Sequence, residues 1–186
     1  DYSGTINLSM TTTATDIDED AGDNTTDTES VTDTLSIVVT GDADKPNITV
    51  RSVSGDEDAG RDQLTGAVVN GGDGGIDIGS KISVSSTDTN QPDGPEGVGL
   101  QISSIPVGVQ RFSGGVEIAV VGGVALVDPD QVAGLRLLPA HHSNADYDLT
   151  VQGRAIQYDA ANDVERYELG DPANLHVTVT GVADIP

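Results

Sequence analysis

The chain has 186 residues, enough for one large or two small domains, and 35% of them are hydrophobic, which argues for a packed core rather than disorder. Eight Lys and Arg against 31 Asp and Glu give a formal charge of -23, which excludes nucleic acid and anionic membrane as natural partners and makes a divalent cation the obvious counter-charge. With no cysteine, disulfides, thiolate catalysis and Cys-type zinc sites are excluded as well.

Period-two alternation of apolar and polar residues dominates the chain and predicts β-strands. In chain order these cover residues 4–15, 31–41, 47–53, 76–86, 98–105, 107–112, 116–121, 124–127, 134–138, 146–157 and 173–182, many of them rich in Val, Ile and Thr. A further hairpin is expected after 146–157, carrying Asp159 and Asp163. Gly114-Gly115, Gly122-Gly123 and Pro92-Asp93-Gly94-Pro95 mark turns between them. Only residues 128–133 read as helical: Asp128 caps, Pro129 suits the first helical position and Gly134 stops the turn. No apolar run reaches the roughly 20 residues of a membrane span, and no signal peptide is visible. Many short strands with one helical turn predict an all-β, antiparallel β-sandwich.

Residues 1–46 and 142–186 are two versions of one segment. Leu35-Ser36-Ile37-Val38-Val39-Thr40-Gly41-Asp42-Ala43-Asp44-Lys45-Pro46 answers Leu175-His176-Val177-Thr178-Val179-Thr180-Gly181-Val182-Ala183-Asp184-Ile185-Pro186. Upstream, Ile6-Asn7-Leu8-Ser9-Met10 answers Tyr147-Asp148-Leu149-Thr150-Val151. Such self-similarity reads as a slice of a tandem array, an architecture used more for spanning distance than for catalysis. A boundary at Lys45-Pro46 divides it into residues 1–46, the closing strands of a preceding incomplete or split repeat, and residues 47–186, a complete repeat. Two strands alone bury too little to be stable, so 1–46 is expected to pair with further strands or to dock on the unit that follows.

Four segments follow one another in the second unit: Val53-Ser54-Gly55-Asp56-Glu57-Asp58-Ala59-Gly60, then Ser86-Thr87-Asp88-Thr89 with Asp93-Gly94-Pro95-Glu96, then Leu100 to Gly108 and Val127 to Pro139. In that order they resemble the cadherin-like, immunoglobulin-like repeats of giant RTX adhesins of Gram-negative bacteria, which implies an immunoglobulin/cadherin-like form of the β-sandwich. Gly181 to Pro186 is similar to the linker between such repeats. The resemblance implies a calcium-stiffened extender of a type I-secreted adhesin, extracellular at the bacterial cell surface and active in biofilm adhesion. Its partners would be neighbouring repeats of the same polypeptide and an inserted or adjacent ligand-binding domain, with no membrane insertion and a monomeric state. Two departures stand out: Asn90-Gln91-Pro92 interrupts the acidic run, and residues 59–77 with Gly71-Gly72-Asp73-Gly74-Gly75 read as an extra loop.

The candidate metal ligands are carboxylates. Calcium takes six to eight oxygens, and alternating acids on a turn aim several at one centre. Asp16, Asp18, Asp20 and Asp23 have that spacing, although this is not an EF-hand: the glycine sits one position late and position twelve is Asp27. Counting strand directions places Asp88, Asp93 and Glu96 at the linker end beside Asp42 and Asp44, and places Asp56, Glu57, Asp58 and Asp184 at the opposite end. Gly71 to Asp77 is similar to a calcium-binding nonapeptide, but a single imperfect copy cannot stack. His141-His142 reads as a loop pair, since adjacent strand residues face opposite ways and no third ligand is evident. Asn24-Thr25-Thr26 and Asn47-Ile48-Thr49 match glycosylation sequons without functional weight, and Tyr158 and Tyr167 read as packing residues. For catalysis, carboxylates occur without a companion His, Ser or Lys arrangement, so no enzyme is expected. No Trp and one Phe leave little to stack sugar rings. The alternative expectation is a module binding peptide or glycan through loops 59–77 and 88–97.

Overall fold

The computed structural model describes residues 4–18, 25–87, 96–159 and 164–183. The chain is an all-β sandwich preceded by a long hairpin. The hairpin pairs β1 (Gly4–Asp18) with β2 (Thr25–Val39) in one unbroken antiparallel register, from Gly4 opposite Val39 to Asp18 opposite Thr25. On one of its faces lie Ile6, Leu8 and Met10 with Val31, Leu35 and Ile37, all exposed; on the other lie Thr and Ser, as in the hydroxyl pair of Thr11 with Thr32 at 3.0 Å.

The sandwich begins with β3 (Asn47–Val50) and β4 (Val53–Asp56), a first strand divided between the two layers. β3 pairs antiparallel with β6 (Ile82–Ser85), while β4 runs parallel to the last strand, β15 (Ala173–Thr180). Between them come β5 (Ile76–Asp77), β7 (Gly97–Ser103), β8 (Gln110–Ser113), β9 (Val116–Glu117), β10 (Val120–Val121), β11 (Val124–Val127), β12 (Arg136–Leu138), β13 (Tyr147–Asp159) and β14 (Val164–Leu169). The larger sheet runs β10-β11-β7-β13-β15-β4, with β14 continuing the β15 side of β13; the smaller runs β5-β12-β8-β9. Except for β4 with β15, all these pairings are antiparallel.

Alternation puts every second residue inside. Along β13 these are Tyr147, Leu149, Val151, Gly153, Ala155 and Gln157; along β15 they are Leu175, Val177 and Val179. Of these, Tyr147, Leu149, Val151, Leu175, Val177 and Val179 pack with Leu100, Ile102, Ala125 and Val127 of their own sheet and with Ile76, Ile78, Ile82, Leu135 and Leu137 in one cluster. Burial of each such aliphatic side chain contributes about 1.5–3 kcal/mol, so this cluster is the stabilising centre. Gln157 sits at the same inward phase, buried and polar, where the apolar series on β13 ends.

The predicted helix is a single 3₁₀ turn, Pro129–Gln131, closed by a capping box between Asp128 and Gln131. Two further 3₁₀ turns, Asn70–Gly72 and Gly79–Lys81, were not anticipated, and the second cuts the expected strand 76–86 into β5 and β6. Residues 59–77 are also more than an excursion. The Arg61 guanidinium donates to the carbonyls of Pro139 at 2.8 Å, Gly66 at 3.0 Å and Gly108 at 3.2 Å, and Ile76 enters the core. A half-buried guanidinium with three carbonyl partners ties this segment to the body of the sandwich.

Candidate functional site

Among the described residues, acids from distant parts of the sequence lie at each pole of the sandwich. At the linker pole, β6 runs antiparallel to β3 and so ends beside the chain's entry point. Glu96, immediately before β7, is buried there. One of its oxygens accepts the backbone N–H of Asp44 at 2.8 Å, and the other accepts the Ser86 hydroxyl. The Thr87 hydroxyl lies 3.5 Å from the Lys45 carbonyl, and the Lys45 ammonium is 2.6 Å from Asp171. Asp44 is half-buried and Asp42 exposed; Asp88 and Asp93 lie outside the described residues.

Pro46 completes this junction on the apolar side. It is buried against Gly153, where an added Cβ would lie 3.0 Å from the Pro46 ring and 2.8 Å from a methyl of Val84. The linker is therefore seated by packing and hydrogen bonds before any ion is considered.

At the far pole the parallel β4–β15 pair brings Asp56 opposite Thr180. The Glu57 backbone N–H donates to the Thr180 carbonyl at 2.8 Å, and its carboxylate accepts the Val182 N–H at 2.7 Å. Asp146 joins this end by accepting the Val179 N–H at 2.8 Å. Asp56 is exposed, whereas Asp184 lies outside the described residues. In the hairpin, Asp16 stands directly opposite Asp27, a like-charge cross-strand pair that destabilises the ladder unless neutralised. Asp18 ends β1 opposite Thr25; Asp20 and Asp23 fall outside the described residues.

Asp58 differs from the other acids. Its side chain is 2% exposed, it adopts a left-handed backbone at φ 57°, and its Oδ1 accepts the His142 N–H at 2.9 Å. Its Oδ2 lies 3.4 Å from His142 Nδ1, and His141 Nε2 is 3.9 Å from Oδ1. The expectation that neighbouring histidines diverge holds for a strand, but residues 141–142 form a turn. His142 is left-handed at φ 55°, and the two rings stack with centroids 3.6 Å apart. Sequence reasoning missed this convergence because its third member is contributed from 83 positions upstream of His141.

Several acids elsewhere are tuned by neighbours. For Asp77, burial pushes the carboxyl up, but hydrogen bonds from Ser80 and the Arg136 guanidinium at 2.5 Å hold it below the ordinary range. Hydrogen bonds from the Thr65 side chain and backbone lower Asp62. His176, with Asn174, lowers Asp148 on the exposed face of the β13–β15 ladder. Burial lowers Arg111, whose guanidinium donates to the Val109 and Ile118 carbonyls.

Among the described residues no helix is long and apolar enough to cross a membrane. No protein family, curated protein or solved structure matches the chain.

Proposed function

We infer that the chain is a non-catalytic structural extender: a calcium-stiffened β-sandwich module of an extracellular bacterial cell-surface adhesin, secreted by a type I route. In this reading it holds ligand-binding domains away from the cell, acts as a monomer and has neighbouring repeats of its own polypeptide as partners. The hairpin of residues 1–46 is the closing part of a second sandwich of the same kind. The observation that carries the reading is the junction: buried Glu96 accepts the Asp44 N–H, which fastens a carboxylate of the second unit to the short linker that bears Asp42 and Asp44. Hard oxygen ligands gathered this way suit calcium, and an ion there would replace mutual repulsion with a bridge. The opposed Asp16 and Asp27 offer a second acidic locus.

A calcium titration tests the proposal. A cation that binds only the folded state adds about 2.7 kcal/mol when its free concentration is 100 times the dissociation constant. The melting temperature should therefore rise between EDTA and millimolar calcium, and small-angle scattering should show a longer, narrower particle. Glu96→Ala should blunt both responses. An unchanged melting temperature and profile would sink the calcium reading and leave the acids as a solvated surface.

A further inference from the structure

We propose that Asp58, His141 and His142 form a binding site for a zinc-type divalent cation, separate from the carboxylate clusters and independent of the calcium reading. The donor set is one carboxylate oxygen and two imidazole nitrogens, with one ligand atom from each residue lying within 4.8 Å of the others. Imidazole nitrogens suit zinc and its transition-metal neighbours, whereas calcium requires oxygen.

The distances fit such an ion. Tetrahedral zinc with bonds near 2.0–2.2 Å places its ligand atoms about 3.3–3.5 Å apart. Asp58 Oδ2 and His142 Nδ1 stand 3.4 Å apart, already at that spacing. His141 Nε2 lies 3.9 Å from the other oxygen, Oδ1, so the His141 ring turns toward Oδ2 to complete the set.

A second observation points to a ligand. Among the described residues Asp58 Oδ2 is buried and has no hydrogen-bond partner, although the carboxylate is withdrawn almost completely from solvent. Taking a carboxylate oxygen out of water without a compensating partner is costly. A cation between the carboxylate and the rings removes that cost. Entry is open, because the His141 and His142 side chains remain 28% and 45% exposed. That exposure leaves a fourth position for water.

The surroundings hold the donors in place. Asp58 is set by its turn, where its carbonyl accepts the Arg61 N–H at 2.8 Å, and by the His142 N–H on Oδ1. The His141 ring lies over Gly66, where an added Cβ would come within 2.7 Å of Nδ1. His141 Nε2 is 3.1 Å from the Gln63 carbonyl, which only accepts, so that nitrogen carries the proton in the metal-free protein. Zinc taken at Nε2 requires the tautomer with its hydrogen on Nδ1 and breaks the bond to Gln63.

The test uses the full chain, stripped with EDTA and then kept in millimolar calcium so that the acidic clusters are occupied. Calorimetric titration with Zn2+ should show one site that calcium does not displace. His142→Ala and His141→Ala should each weaken it by about tenfold or more, as should Asp58→Asn if that variant folds. The chain has three histidines, so imidazole ¹⁵N correlations separate the candidates: zinc should shift His141 and His142 and leave His176, which is paired with Asp146 and Asp148. Zinc binding unchanged in the His141→Ala, His142→Ala double variant, or a response confined to His176, overturns the proposal. So does the absence of any zinc heat in calcium.

Discussion

Leu8 faces Leu35 across the β1–β2 ladder, and Leu149 faces Leu175 across β13–β15. The flanking pairs match as well: Ile6 with Ile37 answers Tyr147 with Val177, and Met10 with Asp33 answers Val151 with Ala173. The register is therefore the same in both copies, yet Leu8 is 46% exposed and Leu149 is 0%. The difference lies in the neighbours. β13 has β7 on its other edge, β15 has β4, and the second sheet covers their shared inner face. Among the described residues β1 and β2 have only each other as strand partners. Register follows from local alternation, which each copy carries in full. Burial needs the rest of a sandwich, which only the second copy possesses among the described residues.

The sharpest way to break this comparison is to truncate the equivalent leucines. Leu149→Ala should cost about 2–5 kcal/mol, because it opens a cavity in a closed core. Leu8→Ala should stay within about 0.5 kcal/mol, as on any exposed surface. Urea unfolding of the two variants reads both. Equal losses would mean that the hairpin face is covered in solution.

A smaller effect is expected at the next matched pair, Thr12 and Gly153. Pro46 packs where a Gly153 side chain would be. Gly153→Thr should therefore overpack the junction at about 1–3 kcal/mol. Thr12→Gly, its mirror in the open hairpin, should cost about 1 kcal/mol or less. Comparable values from the same unfolding curves would show that Pro46 is loosely seated.

The smallest effect is in pH. Asn7 accepts the Ser36 hydroxyl at 2.6 Å in the hairpin, a neutral pair; the equivalent pair in the sandwich is Asp148 with His176 at 2.9 Å. Because the folded-state pKa of Asp148 is depressed, its contribution is complete above the ordinary value of 3.8 and is lost as pH falls through the lower folded value. Acid unfolding midpoints of the native protein and Asp148→Asn should converge below that range and separate above it. A constant separation at every pH would remove this pair from the acid response. Asn7→Ala should leave the pH profile unchanged.

Much of this architecture was legible from alternation alone. β11 occupies the predicted residues 124–127, and β13 and β15 begin within a residue of prediction. β14 was not assigned as a strand, because Val164-Glu165-Arg166-Tyr167-Glu168-Leu169 is charged and largely exposed, so burial imprints no contrast on it. Strand 76–86 broke because the buried Gly79 enters a tight turn that composition does not announce. Glu96 could be placed at the junction because strand direction and length suffice to fix a pole. The same reasoning grouped Asp58 with its neighbours Asp56 and Glu57. Its inward turn depends on a left-handed residue and a contact with His142, and neither is written in local spacing.

The parallel pairing of β4 with β15 has a mechanical consequence. These are the strands nearest the two ends of the sandwich, and their hydrogen bonds link residues 53–56 to residues 177–180. Tension between Pro46 and Gly181 draws the two strands in opposite directions along their common axis. Such a pull is a shear, in which the bonds share the load instead of opening one after another from a free end. A linker wedged at Pro46 delivers that force in line with the strands. A chain of such units would resist stretching by the direction in which its outer strands run.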